Sequence, residues 1–260
     1  MSLNYFGGKQ RKEIQEWILA NLPHSYESYV EPFAGMLGIL INRTKANAEV
    51  ANDINNRIVN WWEVVRDKYE ELDDKLYWSP ASEKLFYDCV RSMDEGTDVE
   101  RAWKFQVVVQ MSRMHTDNEA KAHFSWRIQS QSRPTIRRAD SLYKVRDRIK
   151  DLQVFNRPAE NIIQRCSADP AVVMYCDPPY STADTSVYKI DTEDHDRLVD
   201  LFRDAKCSVA ISGYNDEWDE LGWVRKELDT YFATGVTGRN NRPRTEVLWM
   251  NYQPPQRLLI

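Results

Sequence analysis

The chain has few of the features on which membrane, secreted and metal-binding proteins depend. No apolar run approaches the roughly 20 residues of a membrane-spanning helix, and Met1-Ser2-Leu3 leads into polar sequence rather than into the apolar core of a signal peptide. The four cysteines and four histidines show no metal-ligand spacing. We therefore expect a reduced protein of the cytoplasm that has no membrane segment and needs no metal.

The length and charge of the chain suit one α/β domain that carries an insert. Its 260 residues are 42% hydrophobic, which is enough for a core. The net charge is −5, but residues 101–150 hold twelve basic and four acidic side chains and so carry +8, which leaves −13 for the remainder. Such asymmetry is typical of an insert that faces nucleic acid on an acidic body. The alternative is a basic face that is merely solvated.

An acid followed by two prolines stands directly after an apolar run. Ala171-Val172-Val173-Met174-Tyr175-Cys176 has the length and composition of a buried strand, which places Asp177 at the strand's carboxyl end. Ligands bind at this edge in open α/β sheets. Pro178 and Pro179 have no N–H group and stiffen the chain, so the Asp177 carboxylate and the Pro178 carbonyl can face one spot beside the ring of Tyr180. These groups suit an exocyclic amine on an aromatic base. The alternative is a Pro-Pro turn that only ends a strand.

A second strand and turn lie earlier in the chain, at Tyr29-Val30-Glu31-Pro32-Phe33-Ala34-Gly35. Gly35 and Gly38 permit a tight turn into a helix and a close approach of the backbone to a ligand. Asp53 follows 18 residues after Gly35, at the end of the next predicted strand, where an acid accepts hydrogen bonds from ribose hydroxyls. The full Gly-x-Gly-x-x-Gly fingerprint is missing, which favours an adenosyl ligand without phosphates over a dinucleotide. Taken alone, the glycine pair fits a structural turn equally well.

Helical patterns dominate the middle of the chain. One amphipathic helix is traced by apolar residues at helical spacing, namely Ile58, Trp61, Trp62, Val65, Tyr69, Leu72 and Leu76. The pair Ser79-Pro80 and the capping-box pair Thr97 and Glu100 mark further helix starts. We therefore expect residues 59–112 to be helical, residues 112–139 to be polar and irregular, and residues 140–151 to form a basic helix.

Strand patterns return after this insert. They lie at 152–155, 171–176, 207–211 and 246–252, with a helix at 192–205 between two of them. This alternation predicts a mostly parallel sheet, built by a main domain of residues 1–58 and 152–260 with an insert of residues 59–151. Cys176 is expected to be a buried strand residue rather than a reactive thiol.

Taken in order, these motifs resemble the Dam-type (D12 class) N6-adenine-specific DNA methyltransferases. The matching residues are Asn4-Tyr5-Phe6-Gly7-Gly8-Lys9, Glu31-Pro32-Phe33-Ala34-Gly35, Asn52-Asp53-Ile54 and Asp177-Pro178-Pro179-Tyr180, with looser matches at 194–198 and 208–212. Met36-Leu37-Gly38 departs from the small or glycine-rich stretch usual in the family, and the insert shares little with its GATC-reading members. The resemblance implies an α/β, Rossmann-like S-adenosylmethionine-dependent methyltransferase fold, with residues 1–58 and 152–260 as the catalytic domain and residues 59–151 as a mainly helical target-recognition insert.

The resemblance also implies an activity and the residues that carry it. A methyl group would pass from S-adenosylmethionine to N6 of an adenine flipped out of double-stranded DNA, with S-adenosylhomocysteine as the product and no metal. The implied catalytic residues are Asp177, Pro178 and Tyr180, and the implied cofactor-binding residues are Tyr5, Lys9, Pro32, Phe33, Gly35, Asp53 and Asp177. Basic and aromatic residues add a DNA-binding set of Lys9, Arg113, Trp126, Arg127, Arg133, Arg137, Arg239, Arg242 and Arg244.

We expect the target sequence to be read within 112–139, where arginine can grip guanine and glutamine can grip adenine through two hydrogen bonds each. Arg127 is the first choice for a base reader because it lies beside Trp126 in the middle of this segment. The polar segment 181–188 and the basic loop 238–244 are expected to meet DNA. Three other functions stay open: an RNA adenine methyltransferase, a cytosine-N4 or glutamine methyltransferase, whose motif usually begins with Ser or Asn, and a DNA-binding module without catalysis. The bases recognised, a partner restriction nuclease and the oligomeric state stay open as well.

Overall fold

The structure is a computed structural model that describes residues 9, 11–113, 115–125, 140–179, 192–234 and 240–255, with the backbone alone at 140–141, 192, 231–234 and 240–244. The α-helices in these ranges are α1 (Lys12–Asn21), α2 (Asn56–Asp67), α3 (Tyr69–Tyr77), α4 (Glu83–Arg91), α5 (Asp98–Met111), α6 (Asp140–Ile149), α7 (Ala159–Cys166) and α8 (Thr192–Arg203). The strands are β1 (Ser28–Glu31), β2 (Ala48–Asn52), β3 (Gln153–Phe155), β4 (Val172–Cys176), β5 (Ser208–Tyr214), β6 (Val224–Thr234) and β7 (Asn240–Met250).

The chain divides into two compact units, which are named here by their main content. The helical unit comprises Met1–Gln10, Gly35–Arg43 and Asp53–Asn156, and the sheet unit comprises Arg11–Ala34, Thr44–Asn52 and Arg157–Ile260. The functional division into a catalytic domain and an insert at 59–151 stays a prediction.

The sheet unit holds six of the seven strands found in the described residues, in the order β2-β1-β4-β5-β7-β6. The pairs β1–β2, β1–β4 and β4–β5 are parallel, and the pairs β5–β7 and β7–β6 are antiparallel. All five residues of β4 are buried, as is usual for a parallel strand that is covered on both faces. Helices of this unit bury their own apolar faces, for example Ile162 and Ile163 of α7. The expected mostly parallel α/β sheet is confirmed.

The last two strands differ from the sequence-based expectation. The segment 238–244 was expected to be a basic loop, but residues 240–244 belong to β7, which pairs with the whole of β6, from Val224↔Met250 to Thr234↔Asn240; residues 238 and 239 lie outside the described residues. Strand β6 begins Val224-Arg225-Lys226-Glu227 and has no sustained apolar alternation, so the hydrophobic pattern does not reveal it. Main-chain pairing with β7 forms this strand.

The expected helix after the glycine turn is also absent. Residues Leu40–Asn42 form only a short 3-10 turn. Gly35 and Leu37 both adopt left-handed backbone angles, with φ of +48° and +59°, and a right-handed helix cannot pass through such residues. The tight turn at Gly35 itself is confirmed, and a Cβ there would meet no atom within 4 Å, so the backbone angle rather than space calls for glycine.

The helical unit confirms residues 59–112 as helical but corrects two details. The single helix expected from Ile58 to Leu76 breaks at Lys68 (φ −134°, ψ 35°) into α2 and α3, and Lys68 Nζ instead lies 2.6 Å from Asp98 Oδ2. The start expected at Ser79-Pro80 is wrong, because the Ser79 hydroxyl donates to Lys75 O at 2.6 Å and so belongs to the end of α3. Helix α4 begins three residues later, where the side chain of Ser82 accepts from Leu85 N.

Other features of the helical unit agree with the sequence. Thr97 and Glu100 form both hydrogen bonds of a capping box at the start of α5. The tandem tryptophans Trp61 and Trp62 are core residues with 1% and 0% exposure. No helix occurs in the described part of 112–139, where Ser112 forms a bridge with Phe124, and α6 matches the expected basic helix.

Candidate active site and cofactor-binding residues

The Asp177 turn lies at the carboxyl end of β4, inside the sheet unit. The parallel register pairs Cys176 with Ile211, so Asp177 and Ser212 are the next residues on two neighbouring strands. Asp177 is partly exposed and Pro178 is buried. The sheet therefore positions the acid and the first proline at the edge where α/β enzymes bind ligands, as expected.

Two buried hydroxyl groups are linked to the Asp177 carboxylate by hydrogen bonds. Ser212 Oγ donates to Asp177 Oδ1 at 2.9 Å, and the Tyr175 hydroxyl lies 2.9 Å from Ser212 Oγ. Tyr175 is 2% exposed and Ser212 is fully buried. Sequence reasoning missed both residues, although Ser212 closes the segment 208–212 that matched the family loosely. The signal that can find it is the position of Ser212 one residue after the predicted strand 207–211.

The neighbouring strand β1 carries a second buried polar pair. The Tyr29 hydroxyl donates to Glu31 Oε1 at 2.8 Å, and burial together with the Glu31 charge raises the pKa of Tyr29. Burial also raises the pKa of the Cys176 thiol, which has no exposed surface. Cys176 is thus a protonated strand residue rather than a reactive thiolate, as expected.

Asn52, at the end of β2, holds the turn that follows β1. Its Nδ2 donates to Pro32 O at 2.9 Å, and its own carbonyl accepts from Ala34 N at 2.9 Å. The same side chain also exchanges hydrogen bonds with the backbone of Arg157. Pro32 is buried and Phe33 is partly exposed. The backbone of the turn is therefore held at two points, and its two predicted cofactor-binding residues lie within it.

Asp53 and Gly35, both of the helical unit, form the second predicted cofactor element. Asp53 Oδ2 accepts from Gly35 N at 2.9 Å and Oδ1 accepts from Asn55 N at 2.8 Å. Burial raises the pKa of Asp53 to about 6; these two N–H groups oppose the shift and the nearby charge of Asp117 adds to it. The glycine turn and this acid are thus in direct contact, and their cofactor-binding roles stay predictions.

A hydrogen-bond network extends from Asp53 into the segment that precedes 126–139. Asn55 Nδ2 donates to Asp117 Oδ2 at 2.9 Å. Arg57 donates from Nη1 to Asp117 O at 3.0 Å, and from Nη2 to Glu119 Oε1 at 3.1 Å. Asp117 is 4% exposed. These links, which sequence reasoning also missed, attach residues 117–119 to the first turn of α2 and to the acid before it.

The predicted DNA-binding residues are only partly described. Arg113 is exposed, and its backbone N–H donates to His123 O at 2.9 Å. Lys9 is 6% exposed. The backbones of Arg242 and Arg244 lie in β7. Outside the described residues lie Tyr5, Trp126, Arg127, Arg133, Arg137, Tyr180, Arg239 and the segment 181–188. The roles of all these residues stay predictions.

Strand order and an acid with two prolines at the carboxyl end of β4 are features of a Rossmann-like methyltransferase. Within that class, the model of the D12 class N6 adenine-specific DNA methyltransferase family matches residues 5–218, and the chain belongs to this family. Its activity is S-adenosylmethionine-dependent methylation of adenine in DNA. The family, fold and activity expected from the motifs are confirmed.

Individual relatives span nearly the whole chain. The Type II methyltransferase M1.LlaDCHI of Lactococcus lactis subsp. cremoris is 24% identical over 270 residues, which cover 95% of this chain and 93% of the relative. The solved precorrin-6y C5,15-methyltransferase of Geobacter metallireducens GS-15 is 6% identical with a TM-score of 0.42, covering 93% of this chain and 90% of that one. A SAM-dependent methyltransferase of Agrobacterium tumefaciens is 11% identical with a TM-score of 0.41, and the match covers 94% of this chain and 63% of that one.

Two further observations concern the described ranges alone. None of their helices is both long and apolar enough to cross a membrane. Across the same ranges, no three His, Cys, Asp or Glu side chains gather as a metal site requires. The expectation that catalysis needs no metal stays a prediction.

Proposed function

We propose that the enzyme methylates an adenine flipped out of double-stranded DNA and that Asp177 binds its amine. The observation that carries this proposal is the placement of Asp177 at the carboxyl end of β4, directly before the buried Pro178, where Ser212 Oγ donates to Asp177 Oδ1 at 2.9 Å. There the carboxylate offers its acceptors at the ligand-binding edge of the sheet, as recognition of an amine requires.

In this proposal the side chains act on the adenine amine. The Asp177 carboxylate and the Pro178 carbonyl oxygen accept its two hydrogens, which draws the nitrogen lone pair out of conjugation with the ring. S-adenosylmethionine supplies the sulfonium methyl group and leaves as S-adenosylhomocysteine. The methylated nitrogen carries a positive charge until it loses a proton, and the Asp177 carboxylate accepts that proton. Tyr180 stacks on the base, as aromatic residues do on unpaired bases.

Asp53 suits the ribose of the cofactor by its acceptor capacity. A carboxylate has about four lone-pair sites, and the Asp53 oxygens each accept one backbone N–H, from Gly35 and Asn55. Each oxygen therefore keeps a site for a ribose hydroxyl. We propose that the remaining contacts come from Tyr5, Lys9, Pro32, Phe33 and Gly35.

The amine of a paired adenine cannot reach such a site inside a duplex, so the base must leave the stack, at a cost of a few kcal/mol. Contacts with phosphates offset that cost, and the +8 charge of residues 101–150 supports placing many of them there. We propose that residues 112–139 read the sequence.

A single-turnover assay with a labelled methyl group tests the role of Asp177. Asp177→Asn should slow methyl transfer by about 100-fold or more, because the asparagine amide oxygen is an uncharged, weaker hydrogen-bond acceptor and cannot take the proton. Asp204→Asn is the matched control, since Asp204 is an exposed acid of the same unit, and it should behave as wild type. A near-normal rate for Asp177→Asn would remove this residue from the catalytic role.

Mapping the modified base tests the substrate. The enzyme is expressed in a host that lacks adenine methylation, and both DNA and RNA are sequenced for N6-methyladenine. We expect the mark in duplex DNA at one sequence motif. Modification of RNA with unmodified DNA would favour the RNA alternative instead.

The cysteines bear on the compartment. All four are free, and three are buried. Free thiols persist where the environment is reducing, which supports our proposal that the protein works in the cytoplasm.

A further inference from the structure

Strands β4 and β5 bury two hydroxyl groups, those of Tyr175, which is 2% exposed, and of Ser212, which is fully buried. A buried hydroxyl is unfavourable unless it is hydrogen-bonded. Here the two hydroxyls satisfy one another at 2.9 Å, and the chain of bonds ends on Asp177.

The direction of these hydrogen bonds follows from the number of protons that the Ser212 hydroxyl can donate. The Ser212 hydroxyl has a single proton, and its two acceptors are Asp177 Oδ1 at 2.9 Å and Cys176 O at 3.4 Å. The carboxylate is closer and charged, so it takes the proton. Ser212 Oγ then acts as the acceptor for Tyr175, whose hydroxyl must donate. The order is therefore Tyr175 to Ser212 to Asp177.

We propose that Ser212 and Tyr175 are positioning residues for methyl transfer: Ser212 fixes the orientation of the Asp177 carboxylate, and Tyr175 fixes Ser212. This inference rests on the proposed role of Asp177 at the adenine amine. A donor bound to Oδ1 restricts rotation of the carboxyl group about its Cβ–Cγ bond, and so keeps the carboxylate aligned with the amine. Misplacement of a reacting group by about 1 Å can cost about 100-fold in rate.

The two residues lie far apart in sequence but adjacent in the sheet. Ser212 is 35 residues from Asp177 and 37 from Tyr175, and the register Tyr175↔Ala210 and Cys176↔Ile211 brings both strands to the same edge. Neither hydroxyl needs to touch DNA or cofactor to act in this way, so neither is assigned a catalytic role.

Single-turnover kinetics with saturating cofactor and DNA test the inference. We expect Ser212→Ala to lower the rate constant of methyl transfer by about 10- to 100-fold, with unchanged Kd for S-adenosylmethionine and for duplex. Ser208→Ala is the matched control on the same strand, since Ser208 begins β5 at its other end, and it should keep the wild-type rate. Ser212→Thr, which retains the hydroxyl, should recover most of the rate.

A double-mutant cycle separates positioning from a merely structural role. Tyr175→Phe should slow transfer by several-fold in the wild-type background and by nothing further in the Ser212→Ala background, because in the proposed chain of hydrogen bonds Tyr175 affects Asp177 through Ser212. If the two substitutions caused independent structural defects, their fold-reductions in the transfer rate would multiply in the double variant. That result would overturn the proposed chain of hydrogen bonds. Because the cycle uses only Ala and Phe, it decides the question even if the bulkier Ser212→Thr fails to fold.

Comparing Asp177→Asn with Ser212→Ala separates a failure of the positioning role from a failure of the proposed function of Asp177. If Asp177→Asn is inactive while Ser212→Ala transfers methyl groups at the wild-type rate, the positioning role is wrong and the role of Asp177 stands. If Asp177→Asn is itself near normal, the proposed function of Asp177 fails first. A loss in Ser212→Ala that appears in Kd rather than in the transfer rate would also overturn positioning, since it would make Ser212 a binding residue.

Discussion

Asp53 is a partly buried carboxylate whose proton affinity the fold raises. Its pKa moves from the ordinary 3.8 to about 6, chiefly through burial, against two backbone N–H donors and with the nearby charge of Asp117 adding to the shift. Because the folded state holds this proton more tightly than the unfolded chain, the carboxyl stabilises the fold at pH below about 4. That contribution is lost as the pH rises through about 6.

The same carboxyl should make cofactor binding depend on pH. Only the ionised form offers all of its acceptor sites to ribose hydroxyls, so we expect the affinity for S-adenosylmethionine to rise as the pH increases from about 5 to about 7 and to level off above. The slope below the pKa of Asp53 should be at most about tenfold per pH unit, the limit for one proton. Calorimetry across this range measures it.

Two variants check the origin of that profile. Asp117→Asn removes the neighbouring charge that raises the pKa of Asp53, so the rise should begin at lower pH. Asp53→Asn should bind weakly at every pH, with a flat profile. Wild-type affinity in Asp53→Asn would exclude this residue from the cofactor site.

At the scale of elements, α2 and α5 are joined by one buried polar contact. Trp61 Nε1 donates to Gln106 Oε1 at 2.8 Å, and both residues have no more than 1% exposure. The contact fixes how these two helices pack, since the buried indole N–H has to meet its acceptor inside the core.

Gln106→Met should therefore destabilise the helical unit. The side chain keeps a similar volume but loses the acceptor, and an unpaired buried donor costs about 1–3 kcal/mol. Denaturant titration measures the free energy of unfolding. Gln164→Met is the control, because Gln164 is exposed on α7 and its replacement should change stability by no more than about 0.5 kcal/mol. Equal small effects from both variants would contradict the prediction.

Across the whole molecule, part of the positive charge has structural tasks. Arg146 pairs with Glu70 at 2.6 Å, and Arg148 Nη2 donates to Leu40 O at 2.7 Å. Lys104 Nζ donates to two backbone carbonyls. Lys144, on the same basic helix as Arg146 and Arg148, is exposed. The +8 segment therefore combines groups that hold the fold with groups directed at solvent.

This division separates two neighbouring substitutions. Lys144→Ala should weaken binding to all duplexes alike and reduce the slope of log affinity against log salt by about one, because one phosphate contact is lost. Arg148→Ala should instead lower the free energy of unfolding, since it leaves the carbonyl of Leu40 without this donor. Fluorescence anisotropy over a salt series and denaturant titration compare the two. The reverse outcome would place Arg148, not Lys144, against DNA.

The choice of sequence should respond to a different residue. Arg127→Ala should relax the preference at one position of the methylated motif, by about 1–3 kcal/mol for a lost bidentate contact to guanine. Lys144→Ala is the control, which should leave the motif unchanged. Methylation of a randomised duplex library measures the sequence preference of both variants. If no substitution within 112–139 alters the motif, recognition lies elsewhere in the chain.

The sequence pattern predicted a central strand of the sheet but not the strand at its edge. An apolar run predicted β4 and so placed Asp177 correctly, because a fully buried parallel strand must be apolar along its length. Strand β6 was missed, since a polar strand formed by main-chain pairing leaves no apolar pattern. The helix break at Lys68 was missed for a related reason: apolar residues keep helical spacing on both sides of it.

By itself, the sequence determined the family, the order of the main strands and helices, the capping box of α5 and the position of Asp177 at a strand end. These features depend on residues that are contiguous or a few positions apart, so local pattern encodes them. Only the tertiary structure decided which hydroxyl donates to Asp177. It also decided that Asn55 donates to Asp117, 62 residues away, and that Arg148 donates to the carbonyl of Leu40, 108 residues away. Such contacts are created by strand register and helix packing, which a linear pattern does not contain.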